Sequence, residues 1–145
     1  MSDGNRFASV VLVDRRGWVL LQERDEHPAI DPEKWGFCGG HLEPGEDYEP
    51  GAYRELEEET GIVMPPGSLA AYGDFTVFHR HTATHDPFRL YVAGVDLTDA
   101  DVECHEGRQI VFVDPATVPD LDLTASALLA LPGLLASDAY RDLAP

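Results

Sequence analysis

The stretch Gly40–Ile62, GHLEPGEDYEPGAYRELEEETGI, decides how the rest of the chain is read. Asp47 stands where a helix N-cap is expected, and Gly61, followed by apolar Ile62 and then Pro65-Pro66, is a stop pattern, so one helix of roughly fourteen residues is predicted between them. At about 100° per residue, Glu55, Glu58 and Glu59 fall within a sector of roughly 100°, because positions i, i+3 and i+4 are neighbours. Tyr53 and Leu56 lie outside that sector and would anchor the helix in a core. Taken alone, three carboxylates on one helix face are most simply a solvated surface. Each like-charged i, i+4 pair nevertheless costs a few tenths of a kcal/mol, and a divalent cation would relieve it. Carboxylate oxygens are hard ligands suited to Mg²⁺, or to Mn²⁺, which in turn neutralise phosphate oxygens.

Working outward, the glycine pair Gly39-Gly40 marks a tight backbone turn after the short apolar segment Trp35-Gly36-Phe37. Phe7 to Val13 is a β-branched, apolar run closed by Asp14-Arg15-Arg16-Gly17 and resumed from Trp18 to Gln22, which predicts an antiparallel hairpin. Beyond the helix, Tyr72 to Arg80, Arg89 to Val95 and Gln109 to Val113 have strand composition, and Thr124 to Leu131 and Ser137 to Leu143 are predicted as closing helices. Strands and helices mix, without a repeat or linker, so residues 1–145 are expected to form a single domain.

The formal charge is -17, from 27 acidic against 10 basic residues, with Lys34 the only lysine. Such a field repels polyanions, which argues against nucleic-acid polymers and anionic membranes as partners. A small phosphorylated molecule remains compatible, provided a bound cation supplies the missing positive charge. No signal peptide is visible at the N-terminus, and the apolar stretch Ala125 to Ala136 is too short to span a membrane, so the cytoplasm is the expected location. Cys38 and Cys104 are expected to be reduced thiols.

The spacing around the carboxylates changes their meaning. Gly40, five intervening residues, Glu46, seven more, then Arg54-Glu55-Leu56, one residue, Glu58-Glu59, one residue, and Gly61-Ile62 resemble the Nudix box at every defining position. Such a match arises by chance in roughly one in a billion windows at ordinary composition. The resemblance implies an α/β (α+β) fold, a mixed β-sheet sandwiched between helices in an α/β/α arrangement. It implies Mg²⁺-dependent cleavage of a diphosphate bond in a nucleoside diphosphate linked to another group: a nucleoside triphosphate, an oxidised nucleotide or a nucleotide sugar. It further implies that Glu58 and Glu59 bind the metal, that Glu55 assists as base or ligand, that the carbonyl of Gly39 or Gly40 approaches the ion, and that Arg54 orients the site, with Glu46 as its natural partner. Pro50 and Gly51 depart from the glutamate and alanine frequent in the family, and Gly51 is expected to weaken the helix by up to about 1 kcal/mol relative to alanine.

Candidates outside the box follow from the same resemblance. Glu106, rather than Glu103, is the expected further metal carboxylate. Arg24 resembles a basic residue that touches substrate phosphates, and Gly39, His41 and His79 are further candidate substrate-binding positions. His79, His81 and His85 are open to a metal site, a pocket lining or no role. Cys38 raises the comparison with isopentenyl diphosphate isomerases, which share the fold and use a cysteine beside such a glycine turn, although their box is eroded and this one is intact. A Nudix-fold module that senses a nucleotide without turning it over is the non-catalytic alternative, and its mark, a lost box carboxylate, is absent. Markers of the ADP-ribose, dinucleoside polyphosphate, NADH and coenzyme A subgroups are missing, which leaves a mild preference for a nucleoside triphosphate. Dimers are common in the family, and a homodimer is open here.

Overall fold

Strands β1 (Phe7–Val13) and β2 (Val19–Glu23) leave a turn in which the Asp14 carboxylate accepts from the backbone N–H of Arg16 and Trp18, yet they stay paired only through Val13 and Val19. Beyond that point they diverge, and the segment Trp35–His41 fills the gap. Its first part, β3 (Trp35–Gly36), pairs with the end of β2, and its second, β4 (Cys38–His41), pairs antiparallel with the start of β1. On the far side of β1, β6 (Thr84–Gly94) runs parallel to it, followed by antiparallel β5 (Ala70–His79), while β7 (Gln109–Val113) pairs antiparallel with β2. The sheet is therefore mixed, as expected. These relations come from a computed structural model that describes residues 5–26, 32–80 and 82–143.

Alternation along the strands feeds two cores, which is why β1 is apolar at almost every position. Val11 and Val13, with Leu21, Phe88 and Leu90, pack under helix α2 (Ala125–Leu135) through its buried Ala127, Leu131 and Leu134. Ala8, Val10 and Leu12, with Leu20 and Phe112, pack under helix α1 (Tyr48–Thr60) through Ala52 and Leu56. A short third helix, α3 (Asp138–Leu143), joins the α2 side through Tyr140 and Leu143. Each fully buried Leu contributes roughly 1.5–3 kcal/mol, so Leu56 on α1 and Leu131 with Leu134 on α2 hold the two helices to opposite faces of the sheet. Among the described residues no helix is long and apolar enough to cross a membrane.

Several local expectations are corrected. Asp47 occupies the N-cap position of α1 with extended backbone, but its side chain makes no capping hydrogen bond; instead Glu46 accepts from the Glu43 N–H at 3.0 Å and ties down the helix entrance. Gly51 is buried, and a β-carbon there would lie 2.2 Å from Leu42 Cδ2, so the glycine leaves room for a packed leucine rather than only weakening the helix. Strand β6 begins five residues before Arg89 because β5 pairs with it from Thr84 onward, and Pro87 is tolerated there because β1 pairs only from Phe88. Helix α2 continues through Pro132, since Leu131 and Leu134 are fully buried, while the carbonyl that the proline cannot serve belongs to exposed Leu128.

Candidate active site

The carboxylate helix reaches a cleft on the opposite face of the sheet through the glycine pair. At Gly39, φ is +130° and a β-carbon would lie 2.0 Å from the Ala8 carbonyl oxygen, so only glycine fits, and its N–H donates to Glu59 Oε1 at 3.0 Å. At Gly40 a β-carbon would lie 2.8 Å from Glu55 Oε2. The loop before β7 is fastened to the end of α1, where the N–H groups of Glu103 and His105 donate to the carbonyls of Thr60 and Glu59, both at 2.9 Å. Gly61 in left-handed conformation ends the helix as the sequence predicts, its N–H donating to the Glu57 carbonyl. Gln22 Nε2 donates to the Glu106 carbonyl at 2.9 Å and sets that residue at the cleft rim.

The cleft has a volume of about 340 Å³. Glu55, Glu59, Gly39, Gly40 and Glu106 come together at one end of it, with Arg24, and His41 and His79 line it as well. Two predicted site residues do not line it. Arg54 lies behind Glu55 and holds Glu46 with Nε and Nη2 at 2.8 and 2.7 Å, a two-pronged pair, while its Nη1 reaches Glu55 and Glu58 at 3.2 Å each. Glu58 is 58% exposed and rests against that guanidinium. Glu103 is not at the cleft; its carboxylate meets His105 Nε2 at 2.6 Å beside the helix end.

Burial pushes the Glu59 carboxyl up to about 9, and the charges of Glu106 and Glu55 add to the effect, against the lowering donation from Gly39. Burial also raises Glu55, although Arg54 opposes it. Glu46 is held down to about 2 by its hydrogen bonds from Arg54. In the same cleft the Arg24 Nε is buried and has no hydrogen-bond partner among the described residues. Among the described residues no three His, Cys, Asp or Glu side chains already form an ion-binding cluster, since Glu58 rests outside on Arg54. The donor set nevertheless fits Mg²⁺: hard carboxylate oxygens, one of them raised by burial and by the neighbouring charges of Glu106 and Glu55.

The histidines separate. His79 and Asp86 are both buried, with Nδ1 and Oδ2 2.6 Å apart, whereas His85 packs at a tilt on exposed Phe78, its direct partner on the other face. A metal site made of both is thereby removed, and His81 lies outside the described residues. Cys38 is fully buried in the core under α1, its thiol raised well above the usual range by burial and by Glu59, and it lines no part of the cleft. Asp86 went unrecognised in the sequence. The signal was present, because alternation with Phe88 and Leu90 puts a carboxylate on an inner face, where it is costly unless paired.

Comparison with known proteins bears on the family and the fold. The chain is 25% identical over 132 residues to the nucleoside triphosphatase NudI of Salmonella agona, covering 86% of this chain and 94% of that one. It is 34% identical over 99 residues to an isopentenyl-diphosphate Delta-isomerase of Nocardia farcinica, covering 65% of this chain and 55% of the isomerase. Against several curated relatives it spans only 20 to 55% of their length. In fold it is similar to a mutT/nudix family protein from Listeria innocua, with a TM-score of 0.74, 22% identity and 97% of each chain covered. The family model described as the NUDIX domain matches residues 5–131, and on that match the chain belongs to the Nudix hydrolase family.

Proposed function

We propose that the chain is a Mg²⁺-dependent diphosphohydrolase, able to use Mn²⁺, acting on a nucleoside diphosphate linked to another group. One observation carries this: a buried, raised carboxylate and a buried, unpartnered guanidinium nitrogen share one cleft. Burial costs the first its charge, with Arg24 only partly offsetting it, and leaves the second N–H without an acceptor; a metal-complexed diphosphate would answer both. Glu55, Glu58, Glu59, Glu106 and the Gly40 carbonyl would hold the ion, with Glu58 reaching it by leaving Arg54. A bound Mg²⁺ supplies Lewis-acid polarisation of the phosphoryl group and offsets the crowded negative charge. Glu55, raised by burial, takes the proton of the attacking water; the water oxygen bonds to phosphorus as the anhydride P–O bond breaks, and the phosphate-containing leaving group departs with that electron pair. Glu58 is the alternative base, and Arg54, itself held by Glu46, fixes Glu55. Arg24, with Gly39 and His41, lines the path of the phosphates.

The similarity to a nucleoside triphosphatase over 86% of the chain supports a nucleoside triphosphate as substrate, ahead of an oxidised nucleotide or a nucleotide sugar. An isomerase using Cys38 is disfavoured because its thiol is fully buried in the core under α1 and is not part of the cleft lining. The negative field favours small nucleotides in the cytoplasm over polymers or membranes as partners. The test is a screen of nucleoside triphosphates, nucleotide sugars and related diphosphates with Mg²⁺, reading phosphate after coupled phosphatase treatment. Turnover of at least one is expected; binding without turnover across the panel would identify a sensor. Arg24→Ala should raise KM roughly 10- to 100-fold with a smaller change in kcat, the scale of one charge-assisted hydrogen bond, and an unchanged KM would remove Arg24 from phosphate binding.

A further inference from the structure

One wall of the cleft is a row of rings in register across the sheet: His41 on β4 faces Phe7 on β1, and Phe7 faces Phe88 on β6. The Phe7 ring lies 4.2 Å from His41 and 5.3 Å from His79, centroid to centroid. Against Phe7 stands the buried His79–Asp86 pair, which the chemistry at Glu55 and Glu59 does not use. Asp86 Oδ2 lies 2.6 Å from His79 Nδ1 and accepts from Thr84 Oγ1 at 3.0 Å; Thr84 in turn lies 2.5 Å from Thr82 Oγ1, so the hydrogen bonds run toward the carboxylate. A carboxylate only accepts, so the proton of the neutral imidazole sits on Nδ1, and Nε2 is left as an acceptor. His79 lines the cleft, where that acceptor is available to a ligand.

Placement decides what the pair can do. His79 packs on the Phe7 ring at 5.3 Å and is held by Asp86, and among the described residues no hydrogen bond or ion pair joins it to Glu55, Glu59 or Glu106. It is thus outside hydrogen-bond reach of the carboxylates, and suited to the part of a substrate that lies beyond its phosphates. We propose that His79, oriented by Asp86, is the specificity-determining acceptor of the cleft, taking an N–H of the exocyclic amino group of a nucleobase stacked against the Phe7–Phe88 wall. This rests on the nucleotide assignment above. It favours bases that present an amino group over those that present a carbonyl, because a carbonyl edge would oppose acceptor to acceptor.

The test is steady-state kinetics with Mg²⁺ on two matched pairs, ATP against ITP and CTP against UTP, with calorimetric binding of AMP and IMP alongside. The native protein should favour the amino member of at least one pair by about tenfold in kcat/KM, carried mainly by KM, since a remote contact acts on ground and transition states alike. His79→Phe, which keeps a ring in the wall, should bring that ratio to within twofold of unity while leaving kcat close to native. Asp86→Asn, isosteric and the safer variant for folding, should lower the ratio at least threefold, because its amide no longer fixes the proton on Nδ1. A native ratio near unity, or a ratio that survives both substitutions, overturns the assignment of His79. Nucleotides that are neither cleaved nor bound would instead bring down the nucleotide assignment itself, an outcome distinct from cleavage with an unaltered ratio.

Discussion

Exchanging Glu59 for glutamine should stabilise the metal-free protein and at the same time lower Mg²⁺-dependent turnover by about two to four orders of magnitude, the scale for loss of a catalytic charged group. Its carboxyl has an ordinary value of 4.5 and stands at about 9 in the fold, so the folded state holds a proton that the unfolded chain releases. The sign follows: below pH 4.5 both states are protonated and nothing is lost, and from there up to about 9 the metal-free fold loses stability steadily. At pH 7 the cost amounts to up to about 3 kcal/mol. Glutamine has no proton to lose and can still accept from the Gly39 N–H. Denaturant melts in chelator at pH 5 and pH 8 should therefore show a gap between variant and native protein that widens with pH. Adding Mg²⁺ at pH 8 should raise the native midpoint and leave that of the variant nearly unchanged. Equal stabilities at pH 8 would show that Glu59 is not the strained group.

Glu58→Gln should give the opposite combination: a similar loss of turnover with almost no change in stability. The side chain is 58% exposed, and Arg54 keeps Glu46 and Glu55 when it is removed, so a change within about 0.5 kcal/mol is expected. Its contribution is to be sought in the rate, measured at saturating Mg²⁺ on whichever nucleotide the native protein cleaves best. A variant of undiminished rate would remove Glu58 from the mechanism. The contrast between adjacent residues separates a buried carboxylate that burdens the fold from an exposed one that does not.

What could be read in the sequence were features set by local spacing. The box fixes which residues lie on one helix turn, so Glu55 and Glu59 were expected together, as was the Arg54–Glu46 pair that the structure contains. Hairpin, carboxylate helix and later strands were legible because alternation and glycine stops act over a few residues. What escaped depends on contacts between distant segments. The Asp86 carboxylate has meaning only once β5 and β6 pair, and the silent capping position at Asp47 becomes intelligible once Glu46 is engaged by Arg54. The helical path through Pro132 is enforced by burial of Leu131 and Leu134 against a sheet built from strands far away in the chain. Likewise, Glu58 shares a helix face with Glu55 and Glu59, but its exposure beside Arg54 is a matter of tertiary surroundings.

The divergence of β1 from β2, and the bare glycines that fill the gap, give the molecule an aperture. Residues that would carry the chemistry are rooted in one core under α1, and those that would read the substrate are rooted in the other, under α2. The two sets meet only where Gly39 and Gly40 leave the sheet without side chains. Substitutions on β5, β6 or the start of α2 can therefore reshape what enters without disturbing how the carboxylates are held. A methyl group at Gly39 would obstruct the passage for every substrate at once.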